Sequence, residues 1–283
     1  MTKPAGSASA DPRPGARRTA RTKDPVAARA TVVLKVGGSL GESEATVAQV
    51  AALHDGGRPL VVVHGGGPLV GEWSRRAGLE TRFVRGLRVT DEPTRDVAIA
   101  VLAGLANKTL VAALVARGVP AVGLSGIDGG MLRAEREDAE LGLVGRVSLV
   151  DSALIEDLVD AGRVPVIAPA AIGPAGEILN VNGDTAAGAI AASLGARLLA
   201  FVTDVPGVRG KDGRIVARLD RERSVALLGE GTILGGMIPK VEACLLAAAA
   251  GADAAILPGD ERDAIERVLA GEPLGTTFTA EVA

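Results

Sequence analysis

The chain has 283 residues but no tyrosine, one tryptophan and three phenylalanines. Aromatic platforms of the kind that stack single-stranded nucleic acid are therefore not expected. A net charge of −3 argues in the same direction, against a general polyanion binder. The single cysteine, Cys244, excludes an internal disulfide and a cysteine-based zinc site. Its Ala/Leu-rich surroundings make it a small core residue, which suits a reducing cytoplasm. With only His54 and His64, a histidine-rich metal site is also excluded. No apolar run reads as long enough to span a membrane, and the N-terminus has no signal-peptide apolar core. The expectation is a cytoplasmic protein with neither nucleic acid nor membrane as partner.

The chain does have ample apolar material, 47% of its residues, enough for a sizeable core. Charge is spread unevenly. Residues 1–30 carry Lys3, Arg13, Arg17, Arg18, Arg21, Lys23 and Arg29 against Asp11 and Asp24. Rich in Pro, Ala, Arg and Ser and lacking a period, they read as a disordered arm, with a transit peptide as the alternative.

Two stretches organise the remainder. Thr31-Val32-Val33-Leu34-Lys35-Val36-Gly37-Gly38 is a β-branched run ending at a lysine and two glycines. Leu60-Val61-Val62-Val63-His64-Gly65-Gly66-Gly67 repeats the pattern. Both read as buried parallel strands closed by a glycine turn before a helix. In an open α/β sheet such turns lie at the ligand-binding edge, and their bare N–H groups suit a phosphate. Gly65 and Gly67 begin a dinucleotide fingerprint, but Val70 stands where its third glycine belongs and Gly71 comes one place late, which weakens a nicotinamide reading. Gly123-Leu124-Ser125-Gly126-Ile127 fails the glycine spacing of a nucleophile elbow.

Further along, the spacing predicts a helix near 44–54, a helix from Pro68 and a hairpin over 81–90. A long helix over 93–117 follows, with Val97, Val101, Leu105, Leu110 and Leu114 on its apolar face. Strand 119–124 leads to an exposed hairpin over 131–150, then to helix 152–161 and strand 163–168. Asp184 is expected to N-cap helix 185–194. Strand 197–202, helices 221–229 and 238–250, strand 253–257, helix 261–269 and an extended stretch at 275–280 complete the chain. Alternating βα units imply an α/β fold with a mostly parallel sheet and helices on both faces.

Moving a phosphoryl group onto an acidic acceptor needs a phosphate cradle, cations and something to hold the acceptor in line. Gly37, Gly38, Gly65 and Gly66 are candidates for the cradle. Lys35 and Lys240 are candidate cations, Lys240 following Gly235-Gly236-Met237 at a helix start. Arg88 offers a fork for a carboxylate, and Asp184 a counter-charge for both lysines. Each has an ordinary alternative: a helix lysine, a solvated hairpin arginine, a cap. No Gly-x-x-x-x-Gly-Lys-Ser/Thr run is present, so ATP use would not rely on a P-loop.

Taken in order, Lys35-x-Gly37-Gly38, His64-Gly65-Gly66-Gly67, Gly86-Leu87-Arg88-Val89-Thr90, Asn107-Lys108, Asn180-Val181-Asn182-Gly183-Asp184, Thr203-Asp204-Val205-Pro206-Gly207-Val208 and Gly235-Gly236-Met237-Ile238-Pro239-Lys240 resemble the acetylglutamate kinases of the amino acid kinase superfamily. The resemblance runs from about residue 31 to the C-terminus. The Lys-x-Gly-Gly strand is shared across the superfamily, whereas the Gly-Leu-Arg-Val-Thr and Asn-Val-Asn-x-Asp pieces are more specific. It implies an open three-layer αβα sandwich of two lobes, with 31–194 binding the amino-acid substrate and dimerising and 195–283 binding MgATP. The implied reaction is ATP-dependent phosphorylation of N-acetyl-L-glutamate to N-acetyl-L-glutamyl 5-phosphate, in arginine biosynthesis. By the same resemblance, Lys35 and Lys240 would stabilise the transferring phosphoryl group and Asp184 would orient them. Gly65 and Gly66 would donate to phosphate and attacking carboxylate, Arg88 would grip the α-carboxylate, and Asn180 the acetamido region. Gly37, Gly38, Thr203, Asp204, Gly207, Val208, Gly235, Gly236 and Met237 would lie along the nucleotide. Magnesium would be held by phosphates and water, with no protein ligand.

The chain lacks both the aromatic N-terminal helix and the C-terminal segment that arginine-inhibited relatives resemble one another in, so the resemblance implies an arginine-insensitive homodimer. Carrier-linked aminoadipate or glutamate kinases share the fold, but resemble a form with Ser and Tyr near Arg88. Glutamate 5-kinase, a non-catalytic amino-acid sensor and a dinucleotide oxidoreductase are the other readings.

Overall fold

The computed structural model describes residues 30–37, 44–261 and 263–278. The predicted N-terminal arm up to residue 29, Gly38 and the end of the last extended stretch lie outside the described residues. In chain order the elements begin with β1 (Val32–Val36), α1 (Glu44–Asp55), β2 (Leu60–His64), α2 (Gly67–Arg76), β3 (Phe83–Val84), β4 (Leu87–Arg88), α3 (Glu92–Ala116) and β5 (Ala121–Ser125). They continue through β6 (Leu132–Arg136), β7 (Val144–Val150), α4 (Ala153–Asp160), β8 (Val164–Ala168), β9 (Ala170–Ile172), β10 (Ile178–Val181) and α5 (Gly183–Leu194). The last are β11 (Leu198–Thr203), β12 (Arg218–Leu219), α6 (Arg221–Gly229), α7 (Met237–Ala249), β13 (Asp253–Pro258), α8 (Ala264–Leu269) and β14 (Thr276–Phe278).

Among the described residues, eight strands form one sheet in the order β12-β14-β13-β11-β1-β2-β8-β5, and the β13–β14 pairing alone is antiparallel. Every residue of β1 and β2 is buried, as a parallel sheet covered on both faces requires. Side chains alternate between two cores. Val33, Val61, Val63, Leu199 and Phe201 pack with Ile190 of α5 and Ala243 of α7. Val32, Leu34, Val62 and Leu198 pack on the other side with Val50 of α1, Leu110 of α3 and Ile265 of α8. The result is helix, sheet, helix, the predicted three-layer α/β fold. The same alternation sends Lys35 to the α5–α7 face and His64 to the α3 face.

Three expectations are corrected. The predicted hairpin over 131–150 is present, with β6 and β7 paired antiparallel, but it is exposed on one face only: both strands join β9 and β10 in a closed four-stranded barrel, burying Leu132, Ala134, Leu141 and Val144. Gly145 makes this closure possible, since a Cβ there would stand 2.9 Å from the Cβ atoms of Ala134 and Leu179. Leu105 is not on the apolar face of α3 but 43% exposed. A π-helical segment, Ala100–Ala106, widens the turn, so a 3.6-residue period carried through it points the wrong way. Finally, α3, 25 residues long with an 18-residue window of mean hydropathy 1.9, is long and apolar enough to cross a membrane. Its Val101, Leu102, Leu110 and Leu114 are buried against the rest of the fold instead. The predicted hairpin over 81–90 is present, turned by Arg85 and Gly86 at φ 51° and 79°, both in the left-handed region that a two-residue hairpin turn needs.

Helices α5 and α7 meet through small residues. A Cβ at Gly188 would lie 2.8 Å from the Ala243 Cβ and 2.9 Å from its Cα. Gly188→Ala is accordingly expected to cost about 1–3 kcal/mol by overpacking in a urea titration, and Ala243→Gly in the same chain should return much of it.

Candidate active site

A cleft of about 440 Å³ opens at the carboxyl ends of β1 and β2. This is the edge where an α/β sheet leaves its loops and helix starts available to a ligand. Lys35, next to last in β1, reaches it from the sheet and is 6% exposed. Asp184 and Lys240 reach it from the first turns of α5 and α7. Lys35 Nζ lies 2.5 Å from Asp184 Oδ1 in a buried ion pair. Lys240 Nζ donates to Asp184 Oδ2 at 2.9 Å and to Gly236 O at 3.2 Å. Two ammonium groups thus share one carboxylate that is itself 5% exposed.

Burial opposes charge on both partners. It pulls the Lys35 pKa down, with Asp184 working against that and Lys240 adding to it. Burial also pushes the Asp184 carboxyl upward, but the two lysines outweigh it and hold it below the usual value. Two positive charges against one negative leave the floor of the cleft with an excess that favours an anion.

Asp184 is free for this because it is not the cap. Asn182 takes that role, its Oδ1 accepting from the backbone N–H groups of Asp184 at 2.8 Å and Thr185 at 3.2 Å. The predicted cap therefore lies inside the first turn, with its carboxylate turned to the lysines. Asn182 was within a quoted motif but carried no assigned role; its extended backbone two residues ahead of Asp184 is the signal that distinguishes the two.

The glycines crowd around the Lys35 ammonium. A Cβ at Gly37 would be 2.9 Å from its Nζ, one at Gly65 3.8 Å, and one at Gly183 3.5 Å from Cε. The two central glycines differ in what they can offer. The Gly65 N–H is already taken by Val36 O at 2.9 Å, whereas the Gly66 N–H meets no acceptor among the described residues. A Cβ at Gly66 would press to 2.8 Å from Leu102 Cδ2.

Arg88 and Asn180 line the same cleft. Arg88 is held by Gly67 O at 2.9 Å and Thr81 Oγ1 at 3.2 Å, and stacks over Phe83 at 4.9 Å. Partial burial draws its pKa down. Asn180 Nδ2 donates to Thr90 Oγ1 at 3.3 Å. Gly236 also lines the cleft, while Gly235 borders a smaller neighbouring hollow of about 180 Å³.

Thr203 and Asp204 line a separate hollow of about 510 Å³ with Pro206, Pro258 and Gly259, beyond the ends of β11 and β13. Gly207, Val208 and Met237 border neither space. Val208 is buried core, with its N–H on Thr276 Oγ1 at 2.9 Å and its carbonyl on the Val216 N–H. Gly207 packs against Gly275 and Thr276, and Met237 packs partly buried on the core. Among the described residues, no three His, Cys, Asp or Glu side chains cluster as a metal site.

Residues 30–257 match the family model described as the amino acid kinase family. The acetylglutamate kinase of Dehalococcoides mccartyi is 44% identical over 257 residues, 88% of this chain and 94% of that one. That of Geobacillus kaustophilus is 48% identical over 220 residues, covering 77% and 85%. A Streptococcus mutans protein of solved structure superposes with a TM-score of 0.77 at 27% identity, over 89% of this chain and 99% of that one.

Replacing Asp184 leaves two buried or half-buried ammonium groups without their counter-charge. Asp184→Asn should cost about 3–5 kcal/mol at neutral pH in denaturant unfolding. Because the native carboxyl titrates below the ordinary 3.8, the wild-type advantage over this variant should be full above that pH and fade as pH falls through the lowered native value.

Proposed function

The chain belongs to the amino acid kinase family, and from that premise we propose that it transfers the γ-phosphoryl group of ATP to the side-chain carboxylate of N-acetyl-L-glutamate. The products are ADP and N-acetyl-L-glutamyl 5-phosphate, and the step belongs to arginine biosynthesis. The observation that carries the chemistry is the pair of lysines on one buried carboxylate beside two glycine turns. These residues fit a polyphosphate: cations at the floor, bare backbone around it.

In this reading the lobe of residues 31–194 takes the acceptor and that of 195–283 the nucleotide. Arg88 pairs with the α-carboxylate and Asn180 with the acetamido group, aiming the side-chain carboxylate at the cleft floor. The nucleotide follows the sheet edge from the hollow at Thr203 and Asp204 toward Gly37, β11 and β1 being adjacent strands. A carboxylate oxygen attacks the γ-phosphorus and the bond to the β-bridging oxygen breaks. The nucleophile is already ionised, so no general base is needed. Lys35 and Lys240 neutralise charge that builds on the transferring group, and Asp184 keeps their positions. Magnesium would enter with the nucleotide, held by its phosphates and water, and would supply neutralising positive charge there.

We place the enzyme in the cytoplasm as an arginine-insensitive homodimer. Support for pairing comes from α3, which exposes Leu105 and Val115, and from β5 at the end of the sheet. Sedimentation velocity should give a dimer; a hexamer, or strong inhibition by arginine, would contradict this assignment.

A coupled ADP-release assay should show turnover with N-acetyl-L-glutamate and little with glutamate or α-aminoadipate. Lys240→Ala should lower kcat by about 10²–10³-fold. Arg88→Ala should instead raise the KM for acetylglutamate by about 10–100-fold, as loss of a charged hydrogen-bonding partner does. Tight ATP binding without turnover of any free acid would point to a carrier-linked substrate or a sensor.

A further inference from the structure

His64 ends β2 with a ring that is 2% exposed and committed at both nitrogens. Nδ1 lies 2.8 Å from Gly65 O, and Nε2 lies 3.1 Å from Asn107 Nδ2. A carbonyl oxygen only accepts, so Nδ1 must carry the proton, and Nε2 then accepts from the Asn107 amide. The Asn107 orientation is fixed independently. Its Nδ2 also faces Val166 O at 2.9 Å and Leu124 O at 3.3 Å, while its Oδ1 accepts from Lys108 Nζ at 3.0 Å. Exchanging oxygen and nitrogen would set oxygen against two carbonyls and an NH₂ against an ammonium. The arrangement has been given room: a Cβ on Gly123 would stand 2.1 Å from Asn107 Oδ1.

Gly65 C=O and Gly66 N–H belong to one trans peptide and point in opposite directions. The carbonyl is drawn to the α3 face, where His64 lies. The N–H is therefore turned toward the opposite face, where Lys35 meets Asp184. Among the described residues it is the one of the two central glycine donors without an acceptor.

We propose that His64, as the Nδ1–H tautomer braced by Asn107, is a positioning residue that locks the Gly65–Gly66 peptide with its N–H directed at the transferring phosphoryl group. The proposal rests on the reaction assigned above. A peptide between two glycines has the least steric resistance to rotation. Released from the ring, it would turn a carbonyl lone pair toward the phosphate in place of a donor, so binding would survive better than rate.

Nitrogen-15 NMR of the histidine rings in the intact protein tests this without activity, since His54 and His64 are the only two. The expected spectrum has His64 neutral and protonated on Nδ1 at neutral pH; a proton on Nε2, or on both nitrogens, overturns the proposal. Two variants read the consequence. His64→Asn puts an amide N–H where Nδ1 stands, whereas His64→Gln puts its amide at the Nε2 position. The Gln variant should lose about 10–100-fold in kcat, as when an orienting partner is removed. The Asn variant should keep most of it, and KM for acetylglutamate should move less than about threefold in both. Equal losses in the two folded variants, or a loss carried by KM, would overturn the positioning role. If wild type fails to turn over acetylglutamate, the reaction assignment fails and the spectrum alone decides the tautomer.

Discussion

One carboxylate, Asp184, sits within 3 Å of two ammonium groups at the bottom of a cleft, and the architecture around it can be read as what that contact demands. Two like charges are brought together only if a third, opposite one is fixed between them. Fixing it requires three backbones to converge: the end of β1 and the first turns of α5 and α7. The sheet supplies the first. The helix pair supplies the others, and the absent side chain at Gly188 lets them approach to within touching distance of Ala243. A helix pair wider by one methyl group would stretch the Lys240 contact, so packing one turn below the cleft sets the electrostatics at its floor. The arrangement is poised rather than satisfied. Its excess positive charge is complete only when an anion arrives, which is what a phosphoryl-transfer site needs.

Much of this was legible in the residues. The β-branched runs at 32–36 and 60–64 announced fully buried parallel strands, and the βα alternation announced the layers. Lys35, Asp184, Lys240, Arg88 and Asn180 lie around one cleft, as a shared role would require. What failed to show had identifiable physical causes. The barrel of β6, β7, β9 and β10 depends on pairing between segments that look alike in isolation, and alternation alone does not say which partner closes them. The π segment of α3 breaks the period by which Leu105 was assigned. The cap at the start of α5 involved two candidates of equal propensity two residues apart, and tertiary charge decided between them: the carboxylate had other partners, so the amide took the helix.

The residues expected along the nucleotide divide into two groups. Thr203 and Asp204 border open space, but Val208 is core and Gly207 is squeezed against Gly275 and Thr276. A run of motif residues such as 203–208 mixes groups that face a ligand with groups that hold the loop carrying them, and spacing does not separate the two. The same distinction applies at His64. Its place next to the glycine turn suggested nothing beyond the turn, and only the pairing of its two nitrogens reveals which way the neighbouring peptide is held.

The position of β1 in the sheet has a consequence for how the protein is made. β1 is synthesised well before β11, yet it lies between β2, which follows it closely, and β11, where Val32 pairs with Leu198. Until β11 is synthesised, a short strand, apolar but for Lys35, has one hydrogen-bonding edge without its native neighbour, a template for pairing with other chains. The strand carrying Lys35 is thus also an aggregation-exposed element of the nascent chain. Such long-range closure is slow. Cellular yield should therefore depend less on the finished fold's stability than on what shields that edge during elongation.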